Sequence, residues 1–413
     1  RLDGEVLPAA AEQEVSKDVE ARIAEQAFTR ADGGVDVPME FYRDPARALQ
    51  GDPLLLDRLD LSEFDIPMVL HDAVLARLRL FLGPHRKYFQ AWLDRKGRYE
   101  PMILAELEKA GMPRDVLYLS MIESGFNPYA YSSAAAAGLW QFIPTTGQYY
   151  GLDVDWWVDE RRDPEMATKA AVKMLGELYA QFGDWHLAFA AYNTGPGRVK
   201  RLVEAAKAAG RPATYWDFLE RKELHPETAG YVPKIIAAAI LGHHPERYGF
   251  TVNPAPALEY DTVNVAGAVD LAVLAECAGV DEDTFRTLNP IFRRYATPEG
   301  TSVIRLPKGT AERFEEALAK VPPSERLQLV KHMVRRGETL SIIAGRYGVS
   351  STELARVNGL RNPNQIEVGQ WLVVPRRGGD TPPVARTAVV DTRAVSEAAP
   401  ASARHRSSRR DRH

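Results

Sequence analysis

The sequence predicts a mainly α protein: one helical domain followed by two small α+β modules of βααβ form. Three observations carry that expectation. From Phe64 to about residue 248, apolar residues recur at the spacing of amphipathic helices. Beyond residue 250, the stretch "LAVLAECAGVDEDTFRTLNP" (271–290) lies over "LSIIAGRYGVSSTELARVNG" (340–359) without a gap, pairing Leu271 with Leu340, Ala275 with Ala344, Gly279 with Gly348, Val280 with Val349 and Asn289 with Asn358. Self-similarity at a fixed offset marks two copies of one unit. Each copy places two short helical patterns between β-branched runs, and "RLP" (305–307) in the first answers "VVP" (373–375) in the second.

In chain order, residues 1–36 are polar and Ala/Glu-rich and read as a flexible leader. Residues 37–100 read as a helical N-terminal extension packed on the main domain at 101–250, with punctuation at "LGPH", "DRKGRY", "AGMPRD" and "HHPERYG". The sharpest helix signal is "RRDPEMATKAAVKMLGELYAQFGDW", in which Asp163 suits an N-cap, Pro164 the first helical position and Gly183 the stop. A second helix, "WHLAFAAYNTG", ends at Gly195. The first small module spans 251–310, a linker 311–328 and the second module 329–375. Residues 376–413 carry nine arginines against four acids with few large apolar residues, a disordered basic tail whose charge suits an anionic surface.

Composition narrows the function classes. With 45% hydrophobic and 26% charged residues the chain is ordinary for a globular protein, and a net charge of −4 gives no reason to expect nucleic acid. Cys277 is the single cysteine, so no internal disulfide forms. No apolar run approaches a membrane span, and no transmembrane segment is expected. The chain opens at Arg1 rather than at Met with an apolar signal, which leaves a trimmed or soluble form as the expectation. His243 and His244 are adjacent rather than at ligand spacing, so no metal is expected, and nothing calls for a cofactor.

One acid is oddly placed. On the helical pattern "PRDVLYLSMIE", Met112, Val116 and Leu119 fall within roughly 40° of Glu123, which puts this carboxyl on the apolar stripe. Desolvation there raises a carboxyl pKa and favours an acid still protonated near neutrality, as general acid catalysis needs. A lone glutamate in a last turn more often bends to solvent or caps backbone, so burial by itself does not decide. The residues downstream of it do. "AAAAGLWQF" offers small residues for close approach, with Trp140 and Gln141 expected to face a sugar; Tyr192 and Asn193 stand at a helix end beside a glycine turn; Glu227 and Tyr231 sit at helical spacing.

"ESGFNP", "GLWQFIPTTG", "AYNTGPGRV" and "ETAGYVPKI", in that order over about 110 residues, resemble the family 1 lytic transglycosylases, whose helical domain is goose-lysozyme-like. The flanking "FDIPMVL" and "GRYEPMI" are similar to the membrane-bound D-type branch, and residues 329–375 are similar to LysM modules, which bind N-acetylglucosamine-containing polymers. The 251–310 copy keeps the core positions but opens with "GAVDL" in place of "GETL", a degenerate LysM-like module. The resemblance implies Glu123 as sole catalytic acid/base, with Ser132, Gln141, Tyr192, Asn193, Glu227 and Tyr231 along the glycan cleft; spacing from Glu123 favours Ser132 over Ser133. Trp140 replaces the methionine frequent in that family.

Ordinary glycosidases use two carboxylates. Asp153, Asp155 and Asp159 look like a surface turn and Asp163 a cap, so none is a compelling second acid. The resemblance accounts for one: such enzymes cleave the β-1,4 bond between N-acetylmuramic acid and N-acetylglucosamine without water and leave 1,6-anhydromuramoyl ends. The implied partners are peptidoglycan strands, with a LysM contact to the same polymer. The implied location is the periplasm or cell envelope, outer-membrane association included. Two other readings stand beside this one, a muramidase that hydrolyses the same bond and a silent wall-binding scaffold.

Overall fold

The computed structural model describes residues 59–375 except 156, 328, 348, 359, 361, 363 and 364. The expected leader at 1–36 and basic tail at 376–413 lie outside the described residues. Among the described residues, nine α-helices lead: α1 (Asp72–Leu82), α2 (Arg86–Lys109), α3 (Leu117–Ser124), α4 (Pro144–Tyr149), α5 (Pro164–Phe182), α6 (Trp185–Thr194), α7 (Pro196–Ala208), α8 (Tyr215–Glu220) and α9 (Pro226–His243). One hydrophobic core joins them. Leu78 and Phe81 of α1, Phe89 and Ile103 of α2, Leu175 of α5, Phe189 of α6 and Ile236 of α9 are buried together.

Helix ends obey their sequence signals. Asp163 accepts from the backbone N–H groups of Glu165 and Met166, Pro164 opens α5, and Gly183 closes it in the left-handed conformation at φ +65°. Gly195 likewise ends α6. The "DRKGRY" punctuation does not hold: α2 runs unbroken for 24 residues through Gly97 and Pro101, and so through the boundary expected at residue 100. The chain beyond α9 crosses α2 at Gly97, where a Cβ would stand 2.7 Å from Pro254 Cβ. Ala255 donates to the carbonyl of Asp94 and Leu258 to that of Arg98. Gly97 therefore marks a close approach rather than a break.

The two modules come next in the chain. In the first, β1 (Tyr260–Ala266) and β2 (Thr301–Pro307) are antiparallel, with Val263 opposite Ile304, and enclose α10 (Leu271–Ala278) and α11 (Glu282–Leu288). In the second, β3 (Leu329–Met333) pairs antiparallel with β4 (Trp371–Pro375) around α14 (Leu340–Arg346) and α15 (Ser351–Val357). Between them, the segment expected to be a linker at 311–328 instead holds α12 (Ala311–Lys320) and α13 (Pro323–Arg326). Phe314 is buried and packs with Ala317 and Leu318 on the first module's core, an i, i+3, i+4 stripe that needs an apolar partner.

The repeat is physical as well as textual. Asn289 donates from Nδ2 to the carbonyls of Phe285 and Arg305 and accepts from the Arg305 N–H at 2.7 Å. Asn358 does the same with Leu354 and Val373, again accepting at 2.7 Å. Each buried amide ties the second helix of its module to the second strand. Asn289→Ala and Asn358→Ala should each cost their own module about 3 kcal/mol, since several buried backbone groups lose a partner. Amide exchange reads this directly: protection should fall in β1 and β2 for the first variant and in β3 and β4 for the second.

Candidate active site

The α3 helix is short and its end is clamped. It comes after a 3-10 turn at Arg114–Val116, so Met112 precedes the helix rather than sharing its stripe, while Val116 and Leu119 are fully buried. Gly125 closes α3 at φ +58°, and its carbonyl accepts from Arg95 Nε of α2 at 2.7 Å. Ser120 and Ser124 both donate to the Leu139 carbonyl, at 3.1 and 2.9 Å, fastening the next loop to the same helix. Glu123 therefore stands on a last turn that cannot fray.

Across from it runs α9. Tyr231 donates its hydroxyl to Glu123 Oε1. Burial pushes the Glu123 carboxyl up to about 7; the Tyr231 hydrogen bond opposes this, the Glu227 charge adds to it and the Lys234 charge subtracts. Burial also brings the Lys234 ammonium down to about 8, with Arg77 lowering it further and Glu227 and Glu123 raising it. Burial and then the Glu123 charge raise the Tyr231 and Tyr192 phenols well above their usual value. Residues 227, 231 and 234 share one face of α9 through i, i+4 and i+7 spacing. Lys234 had no signal in the sequence beyond that spacing.

The other expected cleft residues fall into two groups. Asn193 at the end of α6 donates to Glu227 Oε1 at 2.9 Å and accepts from Thr228 Oγ1 at 2.8 Å, so Asn193 and Glu227 are brought together beside Tyr231. Tyr192 donates to the Trp140 carbonyl at 2.7 Å. Ser132 and Gln141 lie on the loop 130–142. Ser132 Oγ accepts from the Ala136 N–H at 3.1 Å, and Gln141 Nε2 donates to the carbonyls of Ala130 and Gly138 at 3.0 and 2.9 Å. Both amide hydrogens of Gln141 are thereby spent on the loop, which leaves its carbonyl oxygen for any other partner.

Trp140 is a correction. It does not face a sugar: the ring is fully buried and its Nε1 donates to Thr168 Oγ1 of α5 at 2.8 Å. Asp159 is another, since it is buried at 1% exposure rather than on a surface turn. Burial would raise its carboxyl, but the Arg161 hydrogen bond and the charges of Arg162, Arg161 and Arg293 hold it below the usual carboxylate range. Arg161 in turn donates to the carbonyls of Ala135 and Phe142 at 2.6 and 2.9 Å, bracketing the loop. A Cβ at Gly138, at φ +84°, would stand 1.8 Å from the Arg161 carbonyl oxygen, so glycine is required there. Asp155 accepts from two backbone N–H groups, and Asp163 pairs with Arg305 at 2.8 Å. The aspartates at 155, 159 and 163 are thus all engaged away from Glu123. Among the described residues no His, Cys, Asp and Glu group is arranged to hold a metal.

Because the folded pKa of Glu123 lies above its unfolded value, its contribution to stability is complete below about pH 4.5 and lost as pH rises through about 7. Glu123→Gln should therefore match the parent in acid and exceed its stability above pH 7, by up to ~3 kcal/mol, in denaturant titrations run across that range.

Three stretches match known families: residues 100–213 the Transglycosylase SLT domain, 259–322 the lytic transglycosylase MltD LysM-like domain, and 332–375 the LysM domain. The chain is 35% identical to membrane-bound lytic murein transglycosylase D of Escherichia coli K12 over 291 residues, which cover 67% of this chain and 63% of that one. It spans less than two thirds of the length of that relative. The soluble lytic murein transglycosylase of the same strain is 33% identical over 28% of this chain and 18% of its own. The solved structure of an inactive mutant of lytic transglycosylase Slt from Pseudomonas aeruginosa aligns at 21% identity with a TM-score of 0.33, covering 45% of this chain and 31% of that one. The first family match places the Glu123 helix and the loop after it inside the SLT domain, and the other two fall on the paired βααβ units, so the chain carries a Transglycosylase SLT domain followed by two LysM-type modules.

Proposed function

We propose that the chain cleaves the β-1,4 bond between N-acetylmuramic acid and N-acetylglucosamine in peptidoglycan and leaves 1,6-anhydromuramoyl ends. The observation that carries this reading is one buried carboxyl, Glu123, held by the Tyr231 hydroxyl and tuned to about 7, while the nearby Glu227 is taken by Asn193 and Asp155, Asp159 and Asp163 are engaged elsewhere by backbone and arginine. A group poised near operating pH serves as acid and then as base.

Glu123 donates its proton to the glycosidic oxygen as the bond from C1 to that oxygen breaks. The resulting carboxylate then accepts the proton of the muramoyl C6 hydroxyl as its oxygen closes on C1. No water is consumed and the carboxyl is restored. Tyr231 orients Glu123 and steadies its ionised form between the two halves. Ser132, Gln141, Tyr192, Asn193 and Glu227 border the glycan, with the carbonyl of Gln141 and the Asn193–Glu227 pair as polar contacts for its hydroxyl and amide groups. The action lies at the cell envelope, on the periplasmic side, where this polymer is found. No described helix is long and apolar enough to cross a membrane.

The 329–375 module supplies a second hold on the same polymer. Trp371, Ile342 and Val368 stand exposed on it, apolar surface that suits the faces of sugar rings. A weak contact there raises the local concentration of strands at the cleft.

Glu123→Gln should abolish turnover while glycan binding persists, and a variant with near-parental turnover would remove Glu123 from its role. For the parent, kcat/KM should fall roughly tenfold per pH unit above about 7, where the first proton is lost; a flat profile to pH 9 contradicts the tuned acid. Removing residues 329–413 should weaken pelleting with insoluble wall far more than turnover of soluble strands, whereas equal losses in both would contradict separate roles.

A further inference from the structure

The first module, 259–322, is built into the helical domain rather than hung from it. Asp159 N–H donates to the Ile291 carbonyl at 2.9 Å, Arg293 N–H donates to that of Trp157 at 2.8 Å, and Val158 bridges Phe292 antiparallel to it. The Arg293 guanidinium bonds the Asp155 carbonyl and its charge faces buried Asp159. Arg305 of β2 pairs with Asp163, the N-cap of α5, and lies over the Tyr260 ring, whose hydroxyl bonds Glu165. Tyr129, at the foot of the loop 130–142, donates to the Arg286 carbonyl of α11 at 2.6 Å.

These contacts converge on one target. Asp159 holds Arg161, and Arg161 holds the loop at Ala135 and Phe142. Asp163 caps the helix whose Thr168 receives the Trp140 indole. The module's opening is also closed. Where the second module has Glu338 accepting from His332, Arg346 and the Arg335 N–H, the first has buried Val269. Next to it, Asp270 N–H donates to the Arg326 carbonyl of α13, so the chain beyond α12 lies across the start of α10.

We propose that the first module is a positioning brace for the loop 130–142 rather than a sugar-binding module, with Arg293, Arg305 and Arg286 acting on Ser132 and Gln141 through the Asp159–Arg161 pair, the Asp163 cap and Tyr129. The loop's place beside the substrate rests on the function proposed above; the bracing itself does not. Arg305→Ala severs the cap contact, and Tyr129→Phe removes one hydroxyl while leaving the ring in place, so at least one variant keeps the fold.

Amide exchange on the full chain is the first readout, because it is independent of turnover. Amides of 135–142 should exchange roughly tenfold faster in both variants while those of α9 are unchanged. On soluble uncrosslinked glycan strands, kcat should fall roughly tenfold with KM moving less than about twofold, as loss of orientation requires, and pelleting with insoluble wall should stay at the parental level. Unchanged exchange in 135–142 would overturn the brace whatever the activity, and lost pelleting with normal loop exchange would assign the module to sugar binding instead. If neither parent nor variants turn over glycan, accelerated loop exchange still upholds the brace and the failure falls on the proposed reaction.

Discussion

Keeping one carboxyl poorly solvated is the constraint around which the helical domain is arranged. Glu123 gains its elevated pKa from burial between α3 and α9, and burial of an acid is unfavourable once it ionises. The surroundings moderate that cost without cancelling it. Tyr231 donates to the carboxyl, Lys234 faces it from the next turn, and Glu227 works in the opposite direction. A lone glutamate on eight residues of helix would escape to solvent by fraying. The Arg95 contact to Gly125 and the two serines on the Leu139 carbonyl prevent it.

A second level of organisation supports the first. The loop 130–142 has no regular ladder of its own, and three of its residues or near neighbours, Phe126, Ala135 and Gln141, take positive φ, a conformation costing on the order of 1 kcal/mol each. Such a loop keeps one shape only if its surroundings over-determine it. Arg161, at 1% exposure, meets that need with hydrogen bonds to both sides of the bend, and its own charge is matched by Asp159. A buried pair of this kind is not a strong net source of stability; it contributes a single arrangement of the groups around it.

Much of this was legible in the chain. The caps of α5 and the placing of Tyr231 one turn beyond Glu227 depend on short sequence separations, which local patterns report, and the match of Asn289 with Asn358 is displayed by the repeat itself. The features that escaped depend on partners far along the chain. Trp140 looked like a sugar platform because Thr168, its partner, is 28 residues away. Asp159 looked like part of a polar turn because the arginine that completes its environment, Arg293, belongs to the first module. Gly97 read as punctuation, yet the crossing segment at Pro254 and Ala255 gives it its reason. The stripe of Phe314, Ala317 and Leu318 was visible, but its position between two copies of a repeat hid that it completes the first.

The central claim is that one carboxyl passes a proton out and takes another back while the sugar's own hydroxyl replaces water. Mass spectrometry of the muropeptides released from purified sacculi tests it most directly, since an anhydro end is lighter than a reducing end by one water. The account predicts 1,6-anhydromuramoyl products from the parent and none from Glu123→Gln. Reducing muramic acid ends as the main product would contradict it.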